Sequence, residues 1–203
     1  LGAYVAGFAV EEGRFVGGNF DWLAPFPLLT GIGLICGYGL LGASWLVLKC
    51  EGELQHWARG KAKPLLIGVL AFIAMVSIWT PLADARTMER WFSLPNFFWL
   101  LPLPFATLLF AATGWRALHS AQRELTPFLC AMGLFVTCYL GLVVSLWPDI
   151  VPHALTLHDA AAAPNSQAFL LLGTLFLLPF IFMYTAWSYW VFRGKVSDSS
   201  GYH

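Results

Sequence analysis

The chain has 203 residues, of which 59% are hydrophobic and 11% charged, and its mean hydropathy is +0.70. Soluble domains carry about a quarter charged residues, so a water-exposed globular fold is excluded. The formal net charge is zero, and the basic residues lie mostly in short loops, so a nucleic-acid surface is excluded as well. The partners left are membrane lipid, other helices and lipid-soluble small molecules.

The chain opens at Leu1 with an apolar run to Val10 that includes Gly2, Ala3, Ala6, Gly7 and Ala9. The run is too short to span a bilayer, and without a basic segment ahead of it a signal peptide is a poor reading. Residues 1–10 therefore read as the end of a helix whose beginning is missing, and the chain as a fragment of a longer protein.

Five apolar stretches follow: Phe26 to Leu48, Pro64 to Ala83, Phe97 to Trp115, Leu125 to Trp147 and Ala168 to Phe192. None contains Asp, Glu, Lys, Arg or His. At about 1.5 Å of rise per residue, about 20 residues cross a hydrocarbon core of roughly 30 Å. The expected fold is all-α, a polytopic transmembrane bundle of five full spans plus a partial N-terminal helix. It reads as one transmembrane domain over 1–203 with a polar tail at 193–203.

The first span is rich in glycine. Gly33-x-x-x-Gly37 and Gly39-x-x-x-Ala43 put small residues on helix faces and allow a neighbouring backbone to approach, which places this helix inside the bundle or at a subunit contact. Its end, Gly42-Ala43-Ser44-Trp45, resembles Ala112-Thr113-Gly114-Trp115 at the end of span three. Val76-Ser77-Ile78-Trp79 of span two likewise resembles Val144-Ser145-Leu146-Trp147 of span four. Two similar hairpins would form a four-helix bundle, leaving span five as a peripheral helix. Pro102 and Pro104 fall in the first turns of span three, and Pro179 lies mid-way along span five, where a kink is expected.

The connections are residues 11–25, 49–63, 84–96, 116–124 and 148–167, with a tail from 193, and they alternate between the two sides. One side collects Lys49, Arg59, Lys61, Lys63, Arg116, Arg123, Arg193 and Lys195, whereas the other has Arg14, Arg86 and Arg90. The positive-inside rule makes the first side, and the C-terminus, cytoplasmic. Trp22, Trp79, Trp91, Trp99 and Trp147 mark the outer interface, and Trp45, Trp57, Trp115, Trp187 and Trp190 the inner one.

Little in the spans can carry chemistry. Haem in a bundle needs His or Met ligands projecting from helices, but His56, His119, His153, His158 and His203 all fall in connections or the tail. Met75, Met132 and Met183 share no helix with a histidine and read as packing residues. Cys36, Cys50, Cys130 and Cys138 form no C-x-x-C pattern and also read as packing residues. A pump would keep an ionisable residue at mid-membrane, and these spans have none. Thr30, Ser44, Ser77, Thr107, Thr137, Ser145, Thr174 and Thr185 are expected to bond to the preceding turn or across helices. In the inner loop, Glu51 and Glu53 could pair with Lys49, Arg59 or a partner subunit, against the plainer reading of a solvated loop. In the outer loop, Asp149, His153, His158 and Asp159 match no compact metal motif. The sequence therefore yields no catalytic, cofactor-binding or metal residue.

Four stretches together resemble one family. Arg14 to Thr30 (RFVGGNFDWLAPFPLLT), Leu40 to Gln55 (LLGASWLVLKCEGELQ), Trp147 to Gln167 (WPDIVPHALTLHDAAAAPNSQ) and Tyr184 to Val196 (YTAWSYWVFRGKV) occur in the order of the matching segments in subunit II of cytochrome bd-type quinol oxidases. That family's inner loop usually reads K-T-E-G, and here Cys50 replaces the threonine. The resemblance implies a heterodimeric terminal oxidase of the bacterial cytoplasmic membrane, serving aerobic respiration by oxidising ubiquinol or a related quinol and reducing oxygen to water. It also implies that haems b and d, their ligands and the quinol-oxidising loop belong to subunit I. Subunit II, a nine-helix protein, would support that partner and in some members bind a structural quinone. The chain would correspond to the end of helix four and helices five to nine. Other readings are a secondary transporter or permease fragment, suggested by the hairpin repeat, and a structural assembly factor.

Overall fold

The structure, a computed structural model, describes residues 1–7, 10–11, 14–83, 85–152 and 154–195. Among the described residues, five helical spans are long and apolar enough to cross a membrane. They are α2 (Pro25–Lys49), α3 (Gly52–Ala83), the pair α5 (Asn96–Leu100) and α6 (Pro102–His119), α7 (Leu125–Leu146) and α8 (Pro164–Val191). Short elements precede them, α1 (Gly2–Ala6) and the strands β1 (Val10–Glu11) and β2 (Arg14–Phe15), or separate them, helix α4 (Ala85–Phe92) and the strands β3 (Asp149–Val151) and β4 (Leu155–Thr156). The all-α polytopic bundle expected from the sequence is the observed fold.

The packing order is that of two hairpins. α2 lies along α3, α6 lies along α7, and the hairpins meet through α2 against α7 and α3 against α6. Leu40 and Ala43 of α2, Ala62, Leu66 and Val69 of α3, Leu118 of α6, and Ala131 and Leu134 of α7 form the buried core. These residues lie towards the end of the bundle that carries Lys49, Arg59 and Arg123, called the inner end for its basic residues and the opposite end the outer, so the bundle is tightest at the inner end. α8 has no buried residue; it stands beside the bundle as the expected peripheral helix.

The glycines of α2 serve two neighbours. A Cβ on Gly33 or Gly39 would lie 3.1 Å from Phe72 Cβ or 3.2 Å from Leu65 Cδ2 on α3, whereas one on Gly37 would lie 2.8 Å from Phe135 Cζ on α7. Gly31 and Gly42 face open space, so only part of the glycine run is explained by packing within this chain. Gly37→Ala is expected to cost about 1 kcal/mol through displacement of the Phe135 ring. Gly42→Ala should be neutral in the isolated chain, and detergent unfolding of both variants checks the contrast.

Five of the eight span hydroxyls, those of Thr30, Ser44, Thr107, Thr137 and Ser145, bond to the preceding turn as expected. Ser44 donates to Leu40 O at 2.7 Å, Thr30 to Pro27 O at 2.8 Å, Thr137 to Leu134 O at 3.0 Å and Ser145 to Gly141 O at 2.8 Å. The Thr107 hydroxyl also comes within 3.3 Å of Thr137 Oγ1, linking α6 to α7.

Four segments differ from the sequence reading. The inner connection at 49–63 is mostly helix, because α3 begins at Gly52, whose φ of +67 turns the chain sharply after Cys50. Pro64 is tolerated inside α3 although it removes one backbone donor. The helical part of residues 1–10 ends at Ala6, where Gly7 leaves the helix with φ 87. The outer connections are also structured: 84–96 contains α4, and 148–167 contains the β3–β4 hairpin and the first turn of α8.

Candidate functional site

The polar side chains gather at the two ends of the bundle. The inner cluster is organised by α3. Arg59 is 8% exposed, and its Nη1 donates to Ala117 O at 3.0 Å and Ser120 O at 2.6 Å, both at the C-terminal end of α6. The last carbonyls of a helix have no partner within it and carry its negative dipole end, so a buried guanidinium is held there without a carboxylate. One turn earlier, Gln55 Nε2 donates to Val47 O of α2 and to Glu124 Oε1, each at 2.9 Å. Small Ala58 and Ala62 on the same face are fully buried and let the helices close around these groups.

Glu124 is the centre of this cluster. Lys195, beyond α8, reaches its two carboxylate oxygens at 2.8 and 2.7 Å and lies 3.7 Å from Glu51. The hydrogen bond from Lys195, then that from Gln55, hold the Glu124 carboxyl below its usual range, and the charges of Lys195 and Arg59 act in the same direction. The bond to Glu124 likewise raises Lys195. Lys49 Nζ donates to Phe192 O at 2.9 Å, and Trp45 meets Tyr189 edge-on at 6.0 Å. These contacts fasten the inner end of α8 to the bundle.

The outer cluster surrounds a cavity of about 160 Å³. Arg86, Thr87 and Arg90 of α4 line one wall, Ser145 and Asp149 another, and Phe26 and Trp79 contribute ring surface. Arg90 Nη1 donates to Ser145 O at 3.1 Å and Val144 O at 3.3 Å. This repeats at the outer end of α7 the device that Arg59 makes at the inner end of α6. The Tyr4 hydroxyl donates to Ile150 O, tying α1 to the β3–β4 hairpin.

The residues considered at the sequence level fall as follows. Glu51 approaches Lys195, while Arg59 takes backbone carbonyls rather than Glu51 or Glu53. Asp159 accepts from the Thr156 hydroxyl at 2.5 Å, which lowers its pKa and makes it a turn residue. Asp149 lines the outer cavity, and His153 and His203 lie outside the described residues. Among the described residues no group of three or more His, Cys, Asp or Glu side chains is placed to hold a metal ion. Gln55, Glu124, Lys195 and Arg90 were not singled out by sequence reasoning. The Gln55-Ala58-Arg59-Ala62-Leu66 spacing, one helix face running ahead of Pro64, was the available signal.

The four stretches that carry the resemblance meet in pairs at these clusters. Leu40 to Gln55 and Tyr184 to Val196 join through Lys49–Phe192, Trp45–Tyr189 and Glu51–Lys195 at the inner end. Phe26 from the first stretch and Asp149 from the third line the outer cavity. A family model described as cytochrome bd terminal oxidase subunit II matches residues 1–192. The chain belongs to that family.

Cytochrome bd-I ubiquinol oxidase subunit 2 of Escherichia coli (strain K12) is 24% identical over 219 residues, covering 90% of this chain and 56% of that protein. Cytochrome bd ubiquinol oxidase subunit 2 of Bacillus subtilis (strain 168) is 25% identical over 190 residues, covering 87% and 52%. The chain thus spans about half the length of the curated relatives it matches. For this cytochrome bd subunit II sequence, the inner-loop glycine of the family pattern is Gly52, and its left-handed φ explains why that position takes glycine.

Proposed function

We propose that the chain is a non-haem, multi-pass subunit of a terminal oxidase that oxidises quinol and reduces oxygen to water, and that it supports a haem-bearing subunit I. The match of the subunit II family over residues 1–192 carries this reading. Haems b and d belong to the partner. The donor set here does not fit a haem: His56 and His119, expected in connections, instead stand in the end turns of α3 and α6, no histidine among the described residues lies at mid-span, and Met75, Met132 and Met183 are all exposed. No residue of this chain is assigned to catalysis, cofactor or metal. Its part is packing: the Arg59–Gln55–Glu124 cluster and the capped helix ends give subunit I a rigid neighbour.

Further parts of the proposal are orientation and extent. The basic residues at the inner end favour a cytoplasmic C-terminus in the bacterial inner membrane. Coverage of about half the relatives supports one transmembrane unit within a longer subunit, with membrane lipid and quinone as its small-molecule neighbours.

The test is to purify the full-length protein from its own membranes by a tag and record a reduced-minus-oxidised visible spectrum. Bands of b- and d-type haem with a second chain are expected. A colourless single-chain eluate that transports a solute when reconstituted would overturn the proposal in favour of a transporter.

A further inference from the structure

The outer cavity has the chemistry of a lipid headgroup site. Arg86 and Arg90 of α4 stand at i and i+4, and Thr87 and Arg90 at i and i+3, so each pair is adjacent on the helix surface, and all three line the cavity. α4 is strongly amphipathic and follows α3 at the outer end of a membrane span, which puts it at headgroup depth. Carbonyls of Val144 and Ser145 fix the Arg90 guanidinium through Nη1. Nε and Nη2 carry three further N–H donors.

Charge and shape then select the ligand. Arg86, Arg90 and Asp149 together leave one positive charge on the described walls, matching the single negative charge of a phosphodiester. Guanidinium groups bind phosphate in a forked geometry. Phe26 and Trp79, whose rings lie 5.9 Å apart, also line the cavity and offer apolar surface to the glycerol end of a lipid. We propose that the cavity binds the phosphodiester headgroup of an anionic glycerophospholipid, with Arg86 and Arg90 on the phosphate and the glycerol end against Phe26 and Trp79. A bound lipid would tie α4 to the ends of α2, α3 and α7.

Native mass spectrometry of the full-length protein, extracted with its natural partners and delipidated, tests this. Phosphatidylglycerol, phosphatidylcholine and inorganic phosphate are added separately to wild type, Arg86→Gln and Arg90→Gln. Wild type is expected to retain phosphatidylglycerol in preference to phosphatidylcholine, with retention falling about fivefold in Arg86→Gln. Arg90→Gln also uncaps α7, so Arg86→Gln is the deciding variant, and circular dichroism with a thermal melt verifies that losing the Arg86 side chain's own contacts leaves it folded. Equal retention by wild type and folded Arg86→Gln would overturn the proposal. So would equal retention of the two lipids, or displacement of phosphatidylglycerol by inorganic phosphate alone, which would mark an ion site.

Discussion

Replacing Arg59 by methionine is expected to destabilise the bundle by about 3 kcal/mol, the scale for removing a buried charged donor from its acceptors. The alternative expectation comes from the desolvation cost of burying a guanidinium, which often makes an apolar replacement neutral. Two observations decide between them. The acceptors are the Ala117 and Ser120 carbonyls, which the substitution leaves in place and unpaired at the end of α6. The neighbours Ala58 and Ala62 are fully buried, so water has little room to replace the lost donors. Arg59→Lys should fall between, because one nitrogen, Nη1, serves both carbonyls and an ammonium can do the same, but the lysine side chain is one bond shorter than the reach to Nη1. Titrating the wild type and both variants with dodecyl sulfate while following helicity gives the order. Equal stability of Arg59→Met and wild type would mean that the α6 carbonyls find other partners.

The contrast between what the sequence showed and what it hid follows from which interactions leave a mark on residue type. Spans α2, α7 and α8 were legible because lipid excludes charge over their whole length, and the boundaries fell within a few residues of the helix ends. The first turns of α3 were not: Lys49 to Lys63 has the composition of a solvated loop, and only the apolar face through Ala58 and Ala62 indicates otherwise. The acceptors of Arg59 and Arg90 are backbone carbonyls, which every residue possesses, so no pattern of side chains could name them. Glu124 was hidden for a different reason. Its partners Gln55 and Lys195 are 69 and 71 residues away, and a peripheral helix brings one of them back. Packing faces are set locally, whereas the polar clusters are set by how the helix ends meet.

Reversing the charge of Glu124 to lysine should release the inner end of α8. No residue of α8 is buried, so its described ties to the bundle are few: Lys195 to Glu124 and, at 3.7 Å, to Glu51, Lys49 to Phe192 O, and the Trp45–Tyr189 ring contact. Glu124→Lys removes the first and sets a positive charge against Lys195 and Arg59. Trypsin cleavage after Arg193 should then become several-fold faster in detergent, with the double variant Glu124→Lys, Lys195→Glu recovering part of the protection. The pH dependence has two limbs. Glu124 is lowered in the folded protein, so its contribution is full above the usual Glu value of about 4.3 and is lost as pH falls through the lowered value. Lys195 is raised, so its contribution is full below the usual Lys value of about 10.4 and is lost as pH rises through the raised value. Protection of Arg193 should therefore persist between those limits and fail outside them, a window the Glu124→Gln variant loses at its acid edge. If cleavage of Glu124→Lys matched wild type at neutral pH, the ring contact, Lys49 and the Lys195–Glu51 pair would be sufficient to hold α8, and the Glu124 carboxylate would have no part in docking it.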